Sequence, residues 1–193
     1  MQIKVVCVNG FPESGKTTFI QMCIANSFSA TIHSISTIDR AKEALRLLGW
    51  NGGKTEVARG LLHNLKMISN QHFDGAKAYV AESVGELESR MKHLHKGFGI
   101  LFVDCREPGE LALFREIFDA NALLIRRPGE RQDVKNAADQ GVLDYKGYTH
   151  VIWNEGSLDD LREHAREFVA AQIKHMEEKE NGSSFNHSNS RFK

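Results

Sequence analysis

The feature that most limits what this chain can become is the octapeptide Gly10-Phe11-Pro12-Glu13-Ser14-Gly15-Lys16-Thr17, read together with its flanks. It satisfies the pattern G-x-x-x-x-G-K-[ST]. Before it, residues 2–8 (QIKVVCV) form a β-branched run that ends at Asn9-Gly10, the signature of a buried strand closed by a turn. After it, Phe19, Ile20, Met22, Cys23 and Ile24 recur at helical spacing from Lys16 to about Asn26. A glycine-bearing loop between a strand and a helix can turn its backbone N–H groups inward, and the first helical turn adds unpaired donors and a favourable dipole. The product is a concave anion site. Gly10, Glu13, Ser14 and Gly15 would line it, Lys16 would set its ammonium on the β- and γ-phosphates of a nucleoside triphosphate, and Thr17 would offer its hydroxyl to Mg2+. Thr18 reads as a structural residue or a second phosphate contact.

The rest of the chain alternates in the same way. Residues 30–35 suit a second strand, followed by a helix over about 38–48 and a glycine-rich break at 49–53. Two longer helical patterns occupy about 55–70 and 75–95. Phe98-Gly99-Ile100-Leu101-Phe102-Val103 has the composition of a central strand buried on both faces. A helix near 109–118, a strand at 122–125, an arginine-rich segment from 126 to about 140, a strand at 149–153 and a helix to about Glu180 complete the order. Strands alternating with helices predict an α/β fold, a three-layer sandwich with a parallel sheet whose ligands bind at the carboxyl ends of its strands. At 193 residues one domain over 1–180 is expected, with residues 181–193 polar, aperiodic and disordered.

Composition excludes several classes. Lys and Arg number 25 against 25 Asp and Glu, so the basic excess of a duplex nucleic-acid binder is absent. No apolar run approaches the roughly 20 residues that span a bilayer, and the N-terminus shows no signal-peptide pattern, so a cytoplasmic protein is expected. The three cysteines have no CxxC spacing and read as small core residues. The nine histidines lack zinc-ligand spacing, and no structural metal is expected.

Beyond the loop, Asp104 closes the central strand and is placed to hold the hydration shell of Mg2+. Arg106, two residues on, is aimed at the sheet's ligand edge and could clamp an acceptor phosphate. The second strand runs into Ser36, Thr37, Asp39, Arg40 and Lys42, which read both as a helix N-terminus capped by Ser36 or Thr37 and as an acceptor site. Arg59 and Lys66, seven apart, share a helix face that is either a phosphate-facing stripe or a wet surface. Trp50 could stack on a base or anchor the turn, and Trp153 leaves the same choice open. Arg126 and Arg127, with Arg131, begin a lid over about 126–145 that would exclude water.

These segments together, GFPESGKTT, SISTIDRAKEALRLLGWNGGK, DCREP, LLIRR and YTHVIWNEGSLDDL, resemble the P-loop nucleoside monophosphate kinase superfamily. They are most similar to phage-type deoxynucleoside monophosphate kinases and the related animal-type phosphomevalonate kinases. The resemblance spans about residues 2–172. It implies a five-stranded parallel core, a helical acceptor-binding insert over about 36–72, an arginine-bearing lid, and ATP with Mg2+ as donor. It also implies that Asn154, Glu155 and Gly156, in the loop after the last strand, lie against adenine; read by themselves they form a turn with Ser157 capping the final helix. DCREP departs from the DGFPR of adenylate kinases, which speaks against AMP as acceptor. The function expected is phosphoryl transfer from ATP to a (deoxy)nucleoside monophosphate, with Lys16, Arg106, Arg126 and Arg127 as the catalytic cations, in a monomer or homodimer. The alternatives are a kinase of a non-nucleotide phosphate such as phosphomevalonate, and a nucleotide-binding switch or assembly protein with weak hydrolysis.

Overall fold

A computed structural model describes residues 1–27, 29–129 and 137–188. Its centre is a strand, β1 (Gln2–Asn9), in which Val5, Val6, Cys7 and Val8 are all buried. Burial on both faces requires cover on both faces, and the alternation of side chains along the strand divides them. Val6 and Val8 face one layer, where Phe19 and Cys23 of α1 (Lys16–Ala25) meet Leu161, Ala165 and Phe168 of α7 (Leu158–Ser188). Val5 and Cys7 face the other, which is built from Val80, Leu87 and Met91 of α4 (Gly75–His93) and Leu111 and Phe114 of α5 (Pro108–Phe118). The Phe168 ring stands edge-on to Phe19 at 5.8 Å, which joins the two helices over the sheet.

The other strands are β2 (Ala30–Ser36), β3 (Phe98–Asp104), β4 (Asn121–Arg126) and β5 (His150–Trp153). All pairs are parallel, in the spatial order β2-β3-β1-β4-β5. The expected three-layer α/β fold with a five-stranded parallel sheet is therefore the fold of this chain. Register aligns the functional ends: Val8 lies opposite Asp104, Asp104 opposite Ser36, and Arg126 opposite Trp153. Chain order reverses direction about β1, so the crevice at its carboxyl end is the topological switch point.

Between β2 and β3 lie α2 (Asp39–Leu47), α3 (Glu56–Phe73) and α4. Thr55 caps α3 by accepting from the Ala58 N–H at 3.2 Å. Asp74 in the left-handed region ends α3 and starts α4.

Three features differ from the sequence expectation. Residues 137–144, for which no helix is expected within the lid over about 126–145, form one, α6 (Ala137–Asp144). Gly141 sits in its middle because the helix passes so close to the Arg106 carbonyl that a Cβ would stand 2.7 Å from that oxygen. Residues 130–136 of the expected lid, Arg131 among them, lie outside the described residues. At the other end α7 continues to Ser188, past the expected stop near Glu180, because Asn181 and Gly182 disfavour helix without forbidding it as proline does. Residues 189–193 of the expected disordered tail lie outside the described residues. Thirdly, the caps expected from Ser36 or Thr37 are not made: the N-cap of α2 is Ile38, and Asp39 instead accepts from the Ser36 N–H at 2.8 Å. No described helix is long and apolar enough to cross a membrane.

Candidate phosphate-binding site

The loop follows directly from the carboxyl end of β1. Gly10 has φ 147°, and a side chain there would collide with the backbone carbonyl of Ile125 and stand 2.8 Å from Ser14 Oγ. Gly15, at φ 100°, caps α1, and a Cβ there would run into Asn154 Nδ2. Glu13 also lies in the left-handed region, at φ 64°. These three positive φ angles curl the chain around its own interior, and the Ser14 N–H to Phe11 carbonyl bond of 3.3 Å closes the turn. Among the described residues no side chain caps α1, so its first-turn N–H groups face the loop's mouth.

Lys16 is buried and donates through Nζ to the carbonyls of Gly10 and Phe11, each at 2.8 Å. The ammonium is therefore held over the loop rather than swung into solvent. Thr17 is exposed at the mouth and Thr18 half-buried behind it. A Gly10→Ala substitution has to displace main chain rather than a flexible side chain. We expect it to abolish ATP binding in calorimetry and to lower the thermal midpoint, since no rotamer change relieves a clash with a buried backbone carbonyl.

One strand over, Asp104 presents a buried Oδ1 with no hydrogen-bond partner among the described residues. Its main-chain carbonyl is fully engaged, accepting from the Thr37 N–H at 3.1 Å and the Ser36 hydroxyl at 3.3 Å. A buried carboxylate oxygen left open at the strand end beside the phosphate loop fits a hydrated cation. Asp104 Oδ1 and the exposed Thr17 hydroxyl are the protein oxygens that could hold a hydrated Mg2+ here, the remaining positions falling to water and phosphate.

Behind the loop, Asn154 donates from Nδ2 to the Ser14 carbonyl at 3.0 Å, and its own N–H donates to the Arg126 carbonyl at 2.7 Å. This residue braces the loop from β5. Glu155 and Gly156 are exposed, and beyond them Ser157 and Asp160 form a capping box: the Asp160 N–H donates to Ser157 Oγ at 3.2 Å and the Ser157 N–H to Asp160 Oδ2 at 2.7 Å. The Arg126 guanidinium lies over the Trp153 ring at 5.2 Å. Arg127 is exposed and Arg106 half-buried.

The acceptor-side candidates separate. Asp39 is spent on the Ser36 N–H and on Lys42 Nζ at 2.9 Å. Arg40 pairs with Glu82 of α4 and stacks over the Tyr79 ring at 4.8 Å. Trp50 donates from Nε1 to the Gly53 carbonyl at 3.0 Å and so anchors its turn. Arg59 is exposed, whereas Lys66, on the same face of α3, is buried.

Lys66 is the clearest departure from the sequence reading. Its ammonium pairs with Glu107, and with Glu110 at 2.8 Å. Asn70 donates to the other oxygen of Glu110 at 2.8 Å and accepts from the Ala76 N–H at 2.9 Å, while the Cys105 thiol donates to Glu110 at 3.3 Å. Burial pushes the Glu110 carboxyl up, but Lys66 and the surrounding hydrogen bonds outweigh it and hold the group below its ordinary value. Lys66 is correspondingly raised: burial opposes its charge, and the two glutamates more than compensate. Lys66 and Arg59 therefore do not form a phosphate-facing stripe. The cluster was invisible in the sequence because Lys66 and Asn70 meet Glu107 and Glu110 across 40 to 44 positions.

No family model matches this chain, and no curated protein matches it. Among solved structures, it is similar to a dephospho-CoA kinase from Campylobacter jejuni at 20% identity and TM-score 0.47, over 88% of this chain and 97% of that one. A tunicamycin resistance protein of Deinococcus radiodurans is similar at 14% identity and TM-score 0.49, over 89% and 96%. A sugar kinase from Janibacter is similar at 16% identity and TM-score 0.41, over 85% and 92%. Likeness at this level assigns no activity to the chain.

Proposed function

We propose that the chain is a phosphotransferase that moves the terminal phosphoryl group of ATP onto a nucleoside monophosphate, yielding ADP and a nucleoside diphosphate. The observation that carries this reading is the open Oδ1 of Asp104 one strand from a glycine-formed loop that already holds Lys16 in place. A loop of that shape accepts a polyphosphate, and an open carboxylate beside it accepts the cation that travels with one. Thr17 and Asp104 would hold Mg2+, which when bound neutralises charge on the β- and γ-phosphates.

An oxygen of the acceptor phosphate attacks the γ-phosphorus as the bond to the β–γ bridging oxygen breaks. That oxygen is already ionised at neutral pH, so no side chain has to remove a proton. The protein's share is positioning and charge compensation, supplied by Lys16, Arg106, Arg126 and Arg127. The nucleotide acceptor is supported by the resemblance of the DCREP and LLIRR segments, and Asn154 braces the loop beside the donor.

The test is ADP release from ATP and Mg2+ across ribo- and deoxyribonucleoside monophosphates and phosphomevalonate. Stimulation by one or more nucleotides supports the reading. Stimulation by phosphomevalonate alone replaces the acceptor class, and slow release indifferent to every acceptor replaces transfer with a hydrolytic switch.

A further inference from the structure

One chain of hydrogen bonds links α6 to the phosphate loop it packs against. Tyr148, in the turn after α6, donates its hydroxyl to the Val142 carbonyl of that helix at 3.3 Å. The same hydroxyl oxygen accepts from Asn9 Nδ2 at 2.8 Å. Asn9 Oδ1 accepts from the Gly10 N–H at 2.8 Å, and the Gly10 carbonyl accepts from Lys16 Nζ at 2.8 Å. Four hydrogen bonds, all donating in the same sense, thus connect α6 to the ammonium at the centre of the site. Asn9 is wholly buried, so neither end of its amide has water as a substitute partner.

The peptide between Asn9 and Gly10 decides where the loop begins its turn, and it is held from the Asn9 side chain. That side chain is in turn oriented by Tyr148, whose oxygen accepts from Asn9 Nδ2 while its O–H, with a pKa that burial pushes up to about 12, donates to the Val142 carbonyl. The apolar contacts run in parallel: Phe11 of the loop is fully buried against Leu124 and Val142, with Leu143 and Tyr148 packed on the same cluster. The Tyr145 ring meets Tyr148 edge-on at 5.0 Å and fixes its plane.

We infer that Tyr148 is a positioning residue for the donor site: through Asn9 and Gly10 it sets the carbonyl that holds Lys16, and so makes ATP affinity depend on the seating of α6. This inference rests on reading the loop as an ATP site. Tyr148 touches no substrate in this account and acts through two intermediaries.

Tyr148→Phe keeps the ring and the apolar cluster and deletes only the hydroxyl. The expected result is about three- to tenfold weaker ATP binding by calorimetry, since the hydroxyl's bonds to Asn9 and to the Val142 carbonyl are both lost, with the KM of the acceptor unchanged. In the double variant with Asn9→Ala, the loss should be no greater than for Asn9→Ala alone, because both changes cut the same chain. A purely structural role predicts instead a lower melting temperature with ATP and acceptor affected alike, and that result overturns the inference. Wild-type binding of ATP with Tyr148→Phe binding equally well overturns it too, while leaving the nucleotide reading intact. A wild-type chain that binds no ATP overturns both. Should Tyr148→Phe not fold, Asn9→Ser cuts the chain at its other partner and is read by the same split.

Discussion

Replacing Lys16 with alanine is expected to lower acceptor-stimulated ADP release about 10²- to 10³-fold, the scale seen when one preorganised charge-stabilising donor is removed from a reacting centre. The effect has two sources in this structure. The ammonium that would meet the transferring phosphoryl group is gone, and the carbonyls of Gly10 and Phe11 lose the donor that draws them together. The second source predicts that ATP binding weakens along with turnover. Calorimetry on the variant separates the two: binding within about twofold of wild type with turnover lost would place Lys16 in the transition state alone. Turnover that survives the substitution would sink the assignment of this loop as the donor site.

Replacing Lys66 with methionine is expected to cost about 3–5 kcal/mol of folding stability at neutral pH, among the largest single effects this chain should show. Methionine preserves much of the volume but leaves two carboxylates facing each other beneath α3, with Glu110 buried and Glu107 partly so. The pH dependence has a definite sign. In the wild type Glu110 is held below its ordinary value, so its contribution is complete above the ordinary carboxylate range and declines as pH falls through the folded value. In the variant the same carboxyl is stranded and its pKa rises, so the penalty is greatest at neutral pH and relieved by protonation. Urea unfolding at pH 7 and near pH 4.5 should therefore show the gap between the two proteins narrowing in acid. A gap that is small at both values would mean that the cluster is wet. Glu110→Gln in the methionine background should recover part of the loss, since it removes one stranded charge.

Lys66 also marks the boundary of what the chain's one-dimensional pattern discloses. The loop from Gly10 to Thr17 was legible because its geometry is local: the glycines, the lysine and the helix they open lie within one turn of each other. Asp104 was legible because a carboxylate ending an apolar run must emerge at a strand's carboxyl edge, and register puts it opposite Val8. The capping box of Ser157 and Asp160 was half legible, since the serine stood where a helix begins. Arg40, Lys42 and Lys66 looked alike as free cations before a helix or along one. Lys42 finds Asp39 one turn back in its own helix, whereas Glu82, Glu107 and Glu110 reach Arg40 and Lys66 only through which elements lie side by side.

Sequence by itself determined the order of the strands and of every helix but α6, the two-faced burial of the sheet and the position of the candidate phosphate loop. Each of these follows from side-chain period or from φ angles that glycine accommodates over a few residues. Only the tertiary structure decided which cations are spent on internal pairs, that α6 is a helix seated on the Arg106 carbonyl, and that Tyr148 reaches Lys16 through Asn9 and Gly10. Those outcomes depend on contacts between residues tens to more than a hundred positions apart. A hydrogen bond or ion pair reaches about 3–4 Å, so no spacing along the chain announces it until the sheet has brought its ends together.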